Sequence, residues 1–218
     1  MTTPSPGQGP EQPDAEPTYA DRVHRSAPAM AAGVLMLALV AWIAGDAMVR
    51  GEGRAPWLGL AGLLLVVPLI VAFTLRPAVY VNDDRIRIRN PFRTITLPWG
   101  AVADVRAGYS SEIVTQEGTK YQMWAIPVSL RQRKRAARRQ MVASQDDPHG
   151  RTSVIADVTD STARLAPADR TVADLRETAE RSASRPGAQG ESQVRWAYEI
   201  AGPAVVGAIL LVVLLAVG

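Results

Sequence analysis

The chain has 218 residues, with 24 Lys plus Arg against 21 Asp plus Glu and a formal net charge of +3. It contains no Cys, which excludes disulfides, thiolate metal sites, iron–sulfur clusters and a Cys nucleophile. Its two His, His24 and His149, stand in separate polar segments, so neither has neighbours that could complete a metal site or a catalytic pair. The mean hydropathy of +0.01 averages three strongly apolar blocks with an Arg-rich middle and describes neither. With about 20 residues set aside for each span, the remainder supports one compact domain at most.

Residues Met1 to Ala20 are rich in Pro, Gly, Glu and Gln and poor in large apolar side chains. They cannot offset the entropy of ordering, so a disordered tail is expected over 1–27. A first transmembrane helix follows over 28–49, with Asp46 its only charge, and a second over 56–75, with Trp57 at one interface and Pro68 inside. The connection from Arg50 to Ala55 is too short for a domain, which makes the two a helical hairpin. The apolar run is too long for a cleaved signal peptide, and a second span follows it at once.

After Arg76 the pattern changes to alternation, the mark of strands with one buried face. Val79 and Val81 alternate before the turn cluster Asn82-Asp83-Asp84, and Arg85 to Arg89 alternates after it, which reads as a hairpin. Asn90-Pro91 marks the next turn, Thr94 to Leu97 resumes the alternation, and Pro98-Trp99-Gly100 leads into Val102 to Val105. Glu112 to Thr115 and Lys120 to Ile126 flank Glu117-Gly118, a hairpin turn. About six short antiparallel strands are thus followed by the basic helix SLRQRKRAARRQMVA, and the soluble domain is expected over 76–143.

Residues 144–194 read as a flexible linker rich in Ser, Thr, Ala, Asp and Arg. Within it PADRTVADLRETAERSA has helix-forming composition, with Val172, Leu175 and Ala179 on one narrow stripe, and is expected to be a solvated tether. A third transmembrane helix is expected over 196–217, with Trp196 and Tyr198 as an interface belt. Arg22, Arg25, Arg76 and Arg195 would then share one side of the membrane, and only Arg50 and Arg54 the other. The positive-inside rule places the N-terminus and the middle region in the cytoplasm and Gly218 outside, in a multi-pass plasma-membrane protein. Asp46 and Glu199 lie close enough to helix ends to reach an interface, so transport is not indicated. Ala41 with Gly45, and Ala204 with Ala208, have the spacing of close helix contacts.

The stretch RPAVYVNDDRIRIRNPFRTITLPWGAVADV, followed by EGTKYQMWAIP, resembles the bacterial pleckstrin-homology-like domain of the low molecular weight protein antigen 6 type, found in actinobacterial membrane proteins. The elements that carry the likeness are Arg89-Asn90, Pro91-Phe92-Arg93, Leu97-Pro98-Trp99 and Glu117-Gly118, within about 50 to 60 residues. The resemblance implies a small antiparallel split β-barrel of PH-like type, closed at one end by the C-terminal helix, and with the three transmembrane helices read from the apolar runs the expected fold class is an α+β membrane protein. The domain is short for a seven-strand barrel, and Ser153 to Val158 is a candidate for a missing strand. Eukaryotic lipid-binding relatives of this fold commonly carry basic residues in the first hairpin loop, where this chain has Asp83 and Asp84, which argues against phosphoinositide-style binding there.

Two basic sets are candidate sites. Arg131, Arg133, Lys134, Arg135, Arg138 and Arg139 form the densest positive run, which beside an inner leaflet could contact anionic lipid headgroups or an acidic, membrane-associated protein. Arg85, Arg87 and Arg89 line one face of one strand and form a weaker anion face, which also reads as an ordinary solvated edge. No aromatic interleaving supports nucleic acid. No Walker-type loop, metal-spaced His pair or activated nucleophile is visible, so no cofactor and no enzymatic role is expected. The expected function is a membrane-anchored binding or scaffolding module at the cytoplasmic face. The alternative is an accessory subunit of a membrane transport or envelope-biogenesis complex acting through its helices. Oligomeric state is left open.

Overall fold

A computed structural model describes residues 21–146 and 166–217. Strand β1 (Arg22–His24) leads into helix α1 (Ala27–Arg50), whose first turn is capped by Ser26 Oγ accepting from the Ala29 amide at 3.4 Å. Helix α2 (Ala55–Ile70) carries Pro68 inside and continues as a π-helical turn over Val71–Leu75. There the Arg76 amide donates to Val71 O at 2.8 Å, and Thr74 Oγ1 donates to Ile70 O at 2.6 Å. The last helix, α5, spans Tyr198–Ala216. These three helices are each long and apolar enough to cross a membrane.

Helix α2 lies between α1 and α5, antiparallel to both. Backbones meet where side chains vanish. A Cβ at Gly33 would overlap Thr74, and one at Gly207 would stand 2.4 Å from Leu65 N. Gly59 sits against Ala44 and Ala47, whereas Gly45, expected at a contact, faces open space. At the far end Arg54 Nη1 donates to Leu214 O at 3.3 Å. Asp46 pairs with Arg50, one turn on, at 3.2 Å.

The described strands form two antiparallel sheets. The first has the order β1-β2-β3-β4-β8, with β2 (Ala78–Val81), β3 (Arg85–Arg89), β4 (Arg93–Pro98) and β8 (Gln193–Trp196). The second has the order β5-β6-β7, with β5 (Val102–Ala107), β6 (Ser111–Thr115) and β7 (Lys120–Gln122). Gly118, at φ +81°, makes the β6–β7 turn. The inward rows Val79, Val81, Ile86, Ile88, Ile95 and Leu97 meet Val105 and Ile113 of the second sheet. Trp99, in a 3₁₀ turn after β4, turns the chain from one sheet to the other; it is fully buried and its Nε1 donates to Asn82 O at 2.8 Å. Buried Asn90 ties the sheets together, donating from Nδ2 to Gln122 O at 2.8 Å and accepting the Trp124 amide at 3.4 Å.

The structure departs from the sequence reading in several places. Basic helix α3 (Leu130–Asp146) forms, but the helix packed into the core is α4 (Pro167–Ser182), which buries Ala168, Val172, Leu175 and Ala179 against the second sheet. The expected linker therefore contributes a core helix, and its end, Gln193–Trp196, contributes an edge strand. Trp196 lies in that strand rather than in the last helix. Arg22–His24, inside the expected tail, is the opposite edge strand. Strand β7 covers only Lys120–Gln122; the Met123 amide still donates to Ser111 O at 2.8 Å, and Met123, Ala125 and Ile126 fill the core. Met1–Ala20 and Ser153–Val158 lie outside the described residues.

Candidate functional site

Alternation in Arg85-Ile86-Arg87-Ile88-Arg89 sends both Ile into the core and all three Arg to the outer face of the first sheet. The register builds that face in rows. Ala78, Arg89, Thr94 and Arg195 form the row nearest the apolar helices; Tyr80, Arg87, Thr96 and Gln193 form the next; Arg85 stands beyond, opposite Pro98. Rows are about 6.8 Å apart and neighbouring strands about 4.8 Å. Arg76, Trp196 and Glu199 complete the helix end of the resulting open cavity of about 580 Å³.

The guanidinium groups on this face are not equivalent. Arg76 is almost covered; it donates to Asn90 O at 3.2 Å and Thr94 Oγ1 at 3.4 Å and pairs with Glu199 at 3.0 Å. Arg87 and Arg89 lie 5.5 and 5.9 Å from the centre of the Tyr80 ring. Arg87 also pairs with Asp21 at 3.4 Å. Tyr80 Oη accepts from Arg25 at 3.0 Å and Arg89 at 3.2 Å. Burial raises the Tyr80 phenol, but these two cations outweigh it and hold the group below its ordinary value. Arg85 and Arg195 are exposed and, among the described residues, have no carboxylate partner.

The second basic set divides as well. Arg131, Lys134, Arg135 and Arg138 of α3 are exposed. Arg133 turns inward: it pairs with Asp169 of α4 and donates to Gly108 O at 2.8 Å and Ala107 O at 2.9 Å. Its bond to Asp169 raises its pKa further. Arg133 thus pins α3 to α4 and to the β5–β6 turn rather than standing with its neighbours. The side chain of Arg139 lies outside the described residues.

A family model described as the bacterial PH domain matches residues 76–189. The chain belongs to the bacterial PH domain family. No curated protein and no solved structure matches it. The matched span includes both sheets except their edge strands β1 and β8, and it includes α4. In this PH domain the first hairpin turn is acidic and occupied: Asp83 and Asp84 pair with Arg185 at 3.1 and 3.9 Å, and Asn82 Oδ1 accepts the amides of Asp84 and Arg85. Such a turn offers no cationic cradle, so the positive field of the PH domain lies on its outer sheet face and on α3.

Sequence reasoning found Arg85, Arg87 and Arg89 but not the rest of the groove. Arg195, Gln193 and Trp196 were hidden because β8 is only four residues long and abuts an apolar helix. Its polar–apolar alternation was the available signal. Arg76 and Tyr80 carried none, since their roles depend on pairing across strands.

Proposed function

We propose that the chain is a membrane-anchored, non-enzymatic binding module, whose PH domain is held at the cytoplasmic face of the plasma membrane and recruits an acidic protein or lipid surface there. The observation that carries this reading is how the domain is woven into the apolar helices. Strand β1 runs into α1, α2 runs out into β2, and β8 runs into α5, and all three strands belong to one sheet. The roots of the three helices therefore lie at one end of the domain, with Arg22, Arg25, Arg76 and Arg195 around them and Arg50 and Arg54 at the far ends. That asymmetry supports a cytoplasmic domain and an outer Gly218. The exposed apolar flanks of the helices, with Leu35, Trp42, Ile43 and Val212 uncovered, support insertion in a bilayer. Exposed Arg131, Lys134, Arg135 and Arg138 suit an acidic surface, at about 1 kcal/mol for each charge near an anionic leaflet.

The test is photo-crosslinking in the membranes of the producing cell, with the reactive group at Lys134 on α3 or at Ile209 on α5. The module reading predicts adducts from Lys134 that vanish when Arg131, Arg135 and Arg138 are changed to Gln. Protein adducts from Ile209 that survive those changes, with none from Lys134, would replace it with an accessory subunit acting through its helices.

A further inference from the structure

The groove on the outer face of the first sheet is rich in arginine. Its floor is the outer face of β3 and β4, and its side wall is β8, a strand outside the residues matched by the family model. Five cations, Arg76, Arg85, Arg87, Arg89 and Arg195, line it with one lining carboxylate, Glu199, which Arg76 neutralises at 3.0 Å, while Arg87 is paired with Asp21 at 3.4 Å. Thr94, Thr96 and Gln193 add uncharged hydrogen-bonding side chains between the charges. Arg85 and Arg195 have no partner among the described residues, so at least two guanidinium groups face the cavity with their donors unspent.

The groove opens at the roots of the apolar helices. Arg76 is the first residue beyond the α2 π-turn, Trp196 ends β8 and Glu199 lies in the first turn of α5. The row holding Arg89 and Arg195 is the nearest to those roots, and the two Cα atoms stand two strand spacings apart, about 10 Å. Two long, forked donors at that separation can close on one phosphate between them. Arg87 and Arg85 continue the charge away from the roots, across about 7 to 14 Å of strand.

We propose that this groove binds the phosphate headgroup of an anionic phospholipid whose acyl chains remain in the bilayer beside α2 and α5, with Arg195 and Arg89 at the phosphate. This rests on the anchoring proposed above, because only an inserted chain brings the groove to headgroup level. The site differs from the first hairpin turn that carries basic residues in eukaryotic lipid-binding relatives of the fold, which in this chain is acidic and paired with Arg185. A free phosphate shares the chemistry, but charge at a helix root favours a ligand delivered by the leaflet, where the lipid is already concentrated.

The experiment uses the full chain purified in a zwitterionic detergent and mixed with equal amounts of phosphatidylglycerol and phosphatidylcholine, with retained lipid read by native mass spectrometry. Wild type is expected to retain phosphatidylglycerol selectively. R85Q/R195Q removes two charges whose guanidinium groups hold no hydrogen bond or ion pair among the described residues, so its unfolding midpoint is expected to match wild type while retention falls about tenfold or more. R131Q/K134Q/R135Q/R138Q on α3 is expected to leave retention unchanged. Unselective retention, an unaffected R85Q/R195Q variant, or equal loss from the α3 variant overturns the assignment. Displacement of the lipid by millimolar inorganic phosphate also overturns it, because the groove would then be a free-anion site. Carbonate extraction of membranes from the producing cell separates the two readings: a chain released by carbonate refutes the anchoring, whereas a retained chain without phosphatidylglycerol selectivity refutes the groove alone.

Discussion

Replacing Leu175 by Ala tests whether α4 is part of the domain core. Leu175 is only 2% exposed and lies among Ala168, Val172, Ala179 and the second sheet. Removing a fully buried Leu side chain in a packed core costs about 2–5 kcal/mol, the transfer of the lost atoms plus the cavity they leave. About 3 kcal/mol, at about 2–4 °C per kcal/mol for a chain of this size, lowers the unfolding midpoint by about 6–12 °C. Glu180, exposed on the same helix, is the control: E180A should stay within about 0.5 kcal/mol of wild type. The assay is thermal unfolding of the detergent-solubilised full chain followed by tryptophan fluorescence, with trypsin cleavage at Arg176 and Arg181 measured alongside. If L175A unfolds with E180A, and both Arg are cut rapidly in the native protein, α4 is a tether and the account of the core is wrong.

Four further outcomes follow from the same geometry. Gly207→Val should destabilise the helical layer by about 1–3 kcal/mol, since a Cβ there meets the Leu64 and Leu65 backbone, whereas Gly202→Ala, which has open space, should be neutral in the same unfolding assay. Asn90→Ala leaves the Gln122 carbonyl without its donor and should cost about 1–3 kcal/mol in urea unfolding. R133Q and D169N should be strongly non-additive, with a coupling of about 0.5–3 kcal/mol in a double-mutant cycle, because both act through one ion pair. Burial lowers the His24 pKa, with Arg22 adding to the shift and Asp174 opposing it, so the docked strand favours neutral imidazole. Detached β1 then binds more protons than docked β1. Docking is strongest above the ordinary imidazole pKa and weakens as pH falls through the lowered one. Amide exchange at Val79 to Val81, corrected for its intrinsic pH dependence, should therefore rise as pH falls from about 7 to about 5, and His24→Gln should remove that rise.

The residues that sequence reasoning placed well are those whose signal is local. The alternation of Arg85 to Arg89, the turns at Asn82-Asp83-Asp84 and Glu117-Gly118, and the length of the apolar runs each depend on a few neighbours in sequence, and each reappears in the structure. What remained hidden depends on pairing at a distance. Three residues before α1 and four before α5 are too short to read as strands alone, and they become strands because β2 and β4 offer open edges. Helix α4 showed its apolar stripe but not the sheet that covers it. Arg133 looked like its basic neighbours, and only the approach of Asp169 and the Ala107 and Gly108 carbonyls sets it apart. The groove was half visible for the same reason: β3 supplied its charges in sequence, while Arg76 and Arg195 join it only through the fold.

We propose that the woven domain lies on the cytoplasmic side of a membrane crossed by the three helices. Because the chain has no Cys, single cysteines report on it without background. With Glu52→Cys between α1 and α2 and Ala103→Cys on β5, both exposed, intact cells are treated with a membrane-impermeant maleimide. Labelling at position 52 in intact cells, and at position 103 only after permeabilisation, is the predicted result; labelling at 103 in intact cells, or at both positions alike, would contradict it.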